Sequence, residues 1–204
     1  MGGCLRQAIP LAKRKWLVEG RQPNLGYTAT SRLMAPSDSS PHSQNLRLHR
    51  QMEGPGTFFV TKCLQPRKAV IDDLVDSEVC SALCFYAKKK LIYLGAFVVM
   101  LDHRHAVLAA ANGKPIWQRM QHLGQWLNRH CGDILSRQGC VWQDGFYETL
   151  IRSARQFQFI CGYIEENPVR AGLAISLLDW KWSSGHPRFQ GTLTRPWSWR
   201  FEKD

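Results

Sequence analysis

The sequence predicts one α+β domain, an antiparallel sheet of ferredoxin-like type with helices packed on one face. Three observations predict it. Short β-branched and aromatic runs such as "TFFVTKCL" and "LIYLGAFVVM" recur between glycine and proline punctuation. Longer segments carry apolar residues at helical spacing. Their order is strand, helix, strand, strand, helix, then a linker and another helix. With 204 residues and 44% hydrophobic content, the chain can fill one core of ordinary size and carry an arm besides.

Residues 1–54 mix Arg, Lys, Pro, Ser and Gly with no sustained period of two or 3.6, and read as a mobile basic arm. The domain proper is expected over residues 55–185, opening with a strand at residues 57–64. "IDDLVDSEVCSALCFYAKKK" places Ile71, Leu74, Val75, Val79, Leu83 and Tyr86 near one helical face, with acids in its first turns and three lysines at its end, matching the helix dipole at both ends. Strands follow at residues 91–100 and 105–110, with "LDHR" at the reversal or the start of the second. A helix is expected over residues 115–131. "SRQGCVWQDGFYETLI" reads as a glycine-punctuated connection carrying Trp142, Phe146 and Tyr147, and the next helix runs from about residue 153 to 166, where Pro168 ends it. Residues 186–204 are a basic, aromatic tail with no clear element.

A formal net charge of +11 and a pI near 9.6 attract polyanions, so nucleic acid leads the expected partners. No apolar run reaches the ~20 residues of a bilayer helix, and the opening residues fit a secretory signal poorly. The expected location is therefore cytoplasmic, with no membrane partner. Seven cysteines, an odd number without a CxxC pair, argue against a disulfide framework and against a structural zinc site.

In "FVVMLDHRHAVLAA", His103 and His105 lie two apart. Side chains at i and i+2 of a strand share a face, so two imidazoles can address one point, as two ligands of one metal do. Two surface histidines have the same pattern, and this motif alone does not decide. In "CGYIEENPVRAGL", Tyr163 and Asn167 are four apart and share a helix face. If that helix lies beside the histidine strand, Asn167 completes a His-His-Asn set on a divalent cation, leaving positions for phosphate oxygens, and Tyr163 faces the bound anion. The plainer reading packs Tyr163 in the core and uses Asn167 as a cap ahead of Pro168. Spacing leaves both open.

The blocks "FVVMLDHRH", "VWQDGFYETLIRSARQFQFICGYIEENPVRAGL" and "DWKWSSG" resemble the single-tyrosine HUH transposases, and within them the branch associated with repetitive extragenic palindromes. The resemblance implies the HUH transposase fold and an enzyme that cuts and rejoins single-stranded or hairpin DNA at palindromic repeats through a 5′-phosphotyrosine, using Mg2+ or Mn2+. It implies Tyr163 as the nucleophile, His103, His105 and Asn167 as the metal ligands, and a homodimer or a monomer. A phenol has an unperturbed pKa near 10, so Tyr163 needs the metal or a nearby cation to become an oxyanion. Two positions depart from the family pattern: Leu101 stands where proline is frequent, and Arg104 where a bulky apolar residue is usual. Arg104 must point away from the histidines into the packed face, so it is expected either to pair with a carboxylate of the first helix, Asp72 or Asp73, or to mark a decayed copy.

Three alternatives are weighed beside this. A family member without catalysis, acting as a DNA-binding or repressor module, has the same sequence pattern. An RNA-binding ferredoxin-like domain predicts RNP-type aromatics that "TFFVTKCL" lacks. Tyr147 and Tyr93 are poorer nucleophiles, with no ligand one turn away, and Tyr147 is expected to pack on the sheet or stack on unpaired bases. Lys88, Lys89, Lys90, Arg119, Arg129, Arg152, Arg155 and Arg170 supply candidate phosphate contacts.

Overall fold

The structure, a computed structural model, describes residues 56–194 except positions 69, 71 and 113; the basic arm and the last ten residues lie outside the described residues. The elements are β1 (Thr57–Gln65), α1 (Asp73–Lys88), β2 (Ile92–Val99), β3 (His103–Ala110), α2 (Ile116–Arg137), β4 (Val141–Trp142), β5 (Tyr147–Ile151) and α3 (Ala154–Arg170). Two 3-10 turns follow, Leu177–Asp179 and Pro187–Thr192. The architecture is α+β with an antiparallel sheet, as the element order predicts.

β1 is the spine of the sheet. It pairs antiparallel with β3 from Thr57↔Ala109 to Cys63↔His103, and β3 pairs in turn with β2. Its other edge receives β5 along Thr57–Thr61 and β4 at Leu64 and Gln65. The segment expected to be a connection thus supplies two strands. Both are short edge strands, and the polar alternation of "YETLI" carries little hydrophobic signal.

β1, β2 and β3 are buried on both faces, which requires cover on both sides. α1 and α2 form one layer, where Leu83, Leu123, Leu127 and Leu135 meet Phe58, Val60, Phe97 and Leu108. α3 lies on the opposite face, where Phe157, Ile160 and Ile164 meet Phe59, Val98, Val107 and Ile151. The expectation of helices on one face therefore holds for α1 and α2 and is corrected for α3. Each large side chain of that stripe adds about 1.5–3 kcal/mol by leaving water.

Two helix ends also differ from expectation. α2 runs to Arg137 because Cys131 and Leu135 continue its buried stripe, and its Gly132 is a weak breaker. α3 passes through Pro168 and ends at Arg170. A proline there removes one backbone bond in the final turn, and the end is closed beyond it: Gly172 at φ +68° donates to the Val169 carbonyl at 2.9 Å and Leu173 to the Pro168 carbonyl at 2.8 Å. That is the double bond of a Schellman cap, which favours glycine at this position. Past residue 185, where a tail is expected, Phe189 is buried against Phe97 at 4.9 Å between ring centroids. No helix among the described residues is long and apolar enough to cross a membrane.

Candidate active site

Register decides what shares a face. Thr61 lies opposite His105 on one side and opposite Tyr147 on the other. His105, Thr61 and Tyr147 therefore form a row across β3, β1 and β5, because directly opposed residues point the same way. His103 lies in the next row with Cys63. This is the face that α3 covers in part.

Each imidazole is held by one nitrogen. His103 Nδ1 meets Asp102 Oδ1 at 2.5 Å, and Asp102 Oδ2 accepts from Arg67 Nε at 2.9 Å. Burial opposes ionisation of Asp102, but the hydrogen bonds and charges of His103 and Arg67 outweigh it and hold the carboxyl down to about 2. An ionised Asp102 accepts the Nδ1 proton of His103, so the approach of Arg67 Nη2 to the same nitrogen at 3.4 Å is not a second hydrogen bond. His105 Nδ1 lies 2.8 Å from the Thr61 hydroxyl. Only 3% exposed, His105 is kept well below the usual imidazole range by burial and then by the neighbouring His103, so it stays neutral. Both rings are thus oriented through Nδ1, so Nε2 is the nitrogen that could coordinate a metal, as it does where histidines are held this way. Their centroids are 4.7 Å apart.

Tyr163 reaches the same place from α3. Its ring centroid is 6.0 Å from that of His105, and both rings pack against Phe59, at 6.4 and 5.1 Å. The half-buried phenol is pushed up by desolvation and brought back by a hydrogen bond with the Asn167 side chain and by the charge of Arg170. The Arg170 guanidinium lies 5.2 Å over the ring. Asn167 is not a cap: it sits in the helix interior, and its carbonyl accepts from Ala171 at 2.9 Å. All four residues singled out in the sequence therefore meet on one face of the sheet. Two imidazole nitrogens and an amide oxygen are a donor set that could hold a divalent cation and leave positions for other ligands.

The "DWKWSSG" block explains how α3 is held. Trp182 and Ser184 pair with the free edge of β2, Val99 donating to the Trp182 carbonyl at 2.9 Å and Ser184 to the Phe97 carbonyl at 2.8 Å. Ser184 Oγ then donates to Glu165 of α3 at 2.9 Å. Sequence reasoning missed Asp102, Thr61, Arg67 and Glu165 as positioning residues. Asp102 was adjacent to the motif and legible in principle; Thr61 becomes visible only with the strand register.

Arg104 does not behave as expected. It is 5% exposed, stacks on the Trp142 indole with its guanidinium carbon 4.4 Å from the ring centroid, and neither Nη1 nor Nη2 has a hydrogen-bond partner. Asp72 instead caps α1 through Leu74 N and Val75 N and accepts from Gln138, while Asp73 pairs with Lys181 at 2.8 Å. Both acids are committed at the N-terminus of α1, so the expected ion pair is not formed.

The family model described as Transposase IS200 like matches residues 58–167, more than half of the chain. The chain belongs to that family. A REP-associated tyrosine transposase from Escherichia coli (strain K12) is 25% identical over 132 residues, which cover 64% of this chain and 77% of that protein. An uncharacterized protein from Haemophilus influenzae (strain ATCC 51907 / DSM 11121 / KW20 / Rd) is 23% identical over 160 residues, covering 63% of this chain and 89% of its own. Among solved structures, a REP-associated tyrosine transposase bound to a REP hairpin superposes with a TM-score of 0.59 at 24% identity, over 76% of this chain and 92% of that one. The fold is shared with that protein.

Proposed function

We propose that this chain binds single-stranded or hairpin DNA and cleaves and rejoins it through a 5′-phosphotyrosine at Tyr163, with Mg2+ or Mn2+ held by His103, His105 and Asn167. The observation that carries the reading is the convergence of two imidazoles, each tied by Nδ1, with a phenol that shares a hydrogen bond with Asn167. The family supports it, as does the relative of known structure, which is bound to a hairpin.

The chain's own residues do three things in this reaction. Asp102 and Thr61 hold the imidazoles through Nδ1, which leaves Nε2 of each for the cation in this reading. Asn167 and Arg170 orient the Tyr163 ring and favour its oxyanion. Tyr163 Oη attacks the scissile phosphorus; the new P–O bond replaces the bond to the 3′-oxygen, which leaves as a hydroxyl with the proton the phenol gave up. A bound divalent cation supplies Lewis-acid polarisation of the phosphodiester. The phosphotyrosine keeps the energy of the broken link, so a second strand's hydroxyl displaces the phenol and seals the strand.

A second reading, a family member that binds DNA without cutting it, draws on the missing carboxylate partner of Arg104. Incubating the protein with a labelled hairpin bearing a single-stranded extension, in Mn2+ and then in EDTA, separates the two. The cleaving enzyme leaves a metal-dependent covalent adduct on the 5′ end of one fragment, and Tyr163→Phe abolishes the adduct while still shifting the DNA. If both proteins shift the DNA and neither forms an adduct, the non-cleaving reading stands.

A further inference from the structure

Arg67 stands beside the histidines in a loop whose two ends are fixed. Where the chain leaves β1, Leu64 N donates to the Asp102 carbonyl at 2.8 Å, and where it turns toward α1, Val70 N donates to the Leu101 carbonyl at 2.7 Å. The loop is thereby tied to the two residues that precede His103. From it Arg67 gives Nε to Asp102 Oδ2 at 2.9 Å, with Nη2 3.4 Å from His103 Nδ1. That edge of the guanidinium is committed to the support of His103. Nη1 has no partner among the described residues, and the side chain is 37% exposed.

A guanidinium is a planar fork with donors on more than one edge, so it can hold a carboxylate with one and phosphate oxygens with another. The outer edge, Nη1 and Nη2, faces solvent beside the candidate active site. The charge of Arg67 is felt by His105 and also by the Tyr147 phenol, at the two ends of the row across β3, β1 and β5. Position sets which phosphate it can meet. Arg67 lies on the Nδ1 side of His103, whereas a metal-binding Nε2 lies across the ring, so the phosphate held by a cation there is out of its reach. A strand crossing from the histidines toward Tyr147 brings the neighbouring phosphate past the free edge.

We propose that Arg67 binds the backbone phosphate next to the scissile one through its Nη1–Nη2 edge, while its Nε holds Asp102. The proposal rests on the reading that a DNA strand crosses the histidine face, and not on that strand being cut. One side chain then couples placement of the strand to orientation of a metal-binding imidazole.

The test is binding of a hairpin with a single-stranded extension, in EDTA, over a range of sodium chloride concentrations. Arg67 belongs to neither core cluster, so Arg67→Gln leaves the fold intact. It is expected to weaken binding about tenfold and to lower the slope of log affinity against log salt by about 0.7, the share of one single-strand phosphate. Asp102→Asn, which removes the support of His103 but leaves the arginine its charge, should keep the wild-type slope. A neutral methylphosphonate is then moved along the extension. At one linkage it should weaken wild-type binding and cost Arg67→Gln nothing further. Wild-type affinity and slope in Arg67→Gln, a slope that falls as far in Asp102→Asn, or a methylphosphonate penalty equal in both proteins at every linkage overturns the proposal. Cleavage in Mn2+ is scored separately: DNA bound with the expected pattern and never cut sinks the phosphotyrosine reaction and supports the Arg67 contact.

Discussion

The two faces of β1 and β3 treat polar side chains in opposite ways. On the α3 face the polar groups are bonded in chains: Arg67 to Asp102 to His103, Thr61 to His105, and Tyr163 to Asn167 under Arg170. On the other face apolar side chains fill the space between sheet and helices, and the arginine among them has no side-chain hydrogen bond at its Nη atoms. One set of strands thus offers an oriented polar surface on one side and a packed foundation on the other. The difference teaches that orientation and stability are supplied by different residues of the same strand, one position apart.

The largest effects should divide along this line. Tyr163→Phe keeps the ring that packs on Phe59 and removes only the hydroxyl, so cleavage is lost while the melting temperature barely moves. Leu127→Ala does the reverse. Leu127 is fully buried beneath the opposite face, and the truncation should cost about 2–5 kcal/mol of stability. The protein that remains folded should cleave at the wild-type rate, measured against folded concentration. A slow rate for folded Leu127→Ala would mean that the foundation also sets the geometry of the site.

Much of this division was legible in advance, and its gaps have physical causes. The i, i+2 histidines and the i, i+4 tyrosine and asparagine could be placed because strand and helix periods determine which residues share a face within one element. What no period reports is how elements meet. The side of the sheet taken by α3 depends on β1, β2 and β3 being apolar on both faces, and those runs look alike whichever helix covers them. β4 and β5 escaped because two residues, or five of mixed polarity, at a sheet edge give almost no signal. Pro168 misled because a proline costs little in a last turn that Gly172 closes. The partner of Arg104 was misjudged because Asp72 and Asp73, close in sequence to the layer above it, are already used by the α1 cap and by Lys181.

A finer break in the comparison comes from the group behind His103. Asp102→Asn preserves shape but removes the charge that keeps a proton on Nδ1, and its amide can present either donor or acceptor to the ring. Loss of such an orienting partner typically weakens metal binding or activity by about 10–100-fold. Mn2+ titration of cleavage should show that weakening, with near-normal binding of the hairpin in EDTA. Unchanged Mn2+ dependence would show that the imidazole is held adequately by its strand alone.

The smallest effect concerns the far end of the row that begins at His105. Trp142 and Phe146 of the β4–β5 segment are buried in the foundation, whereas Tyr147, 37% exposed, lies on the reactive face. It stands two strands from His105, about 10 Å along the sheet, so a strand whose phosphate lies at the histidines can pass its next bases over this ring. Stacking on an exposed aromatic is worth about 1–3 kcal/mol per base and reads no sequence. Tyr147→Ala should therefore weaken binding of a hairpin with a single-stranded extension by roughly 5–150-fold, while the bare hairpin, which has no unpaired base to stack, is bound as before. Because no phosphate contact is removed, the salt dependence should keep its slope. An equal loss on both DNAs would assign Tyr147 to the duplex. No loss on either would confine the reactive surface to the histidines, Tyr163 and their immediate supports.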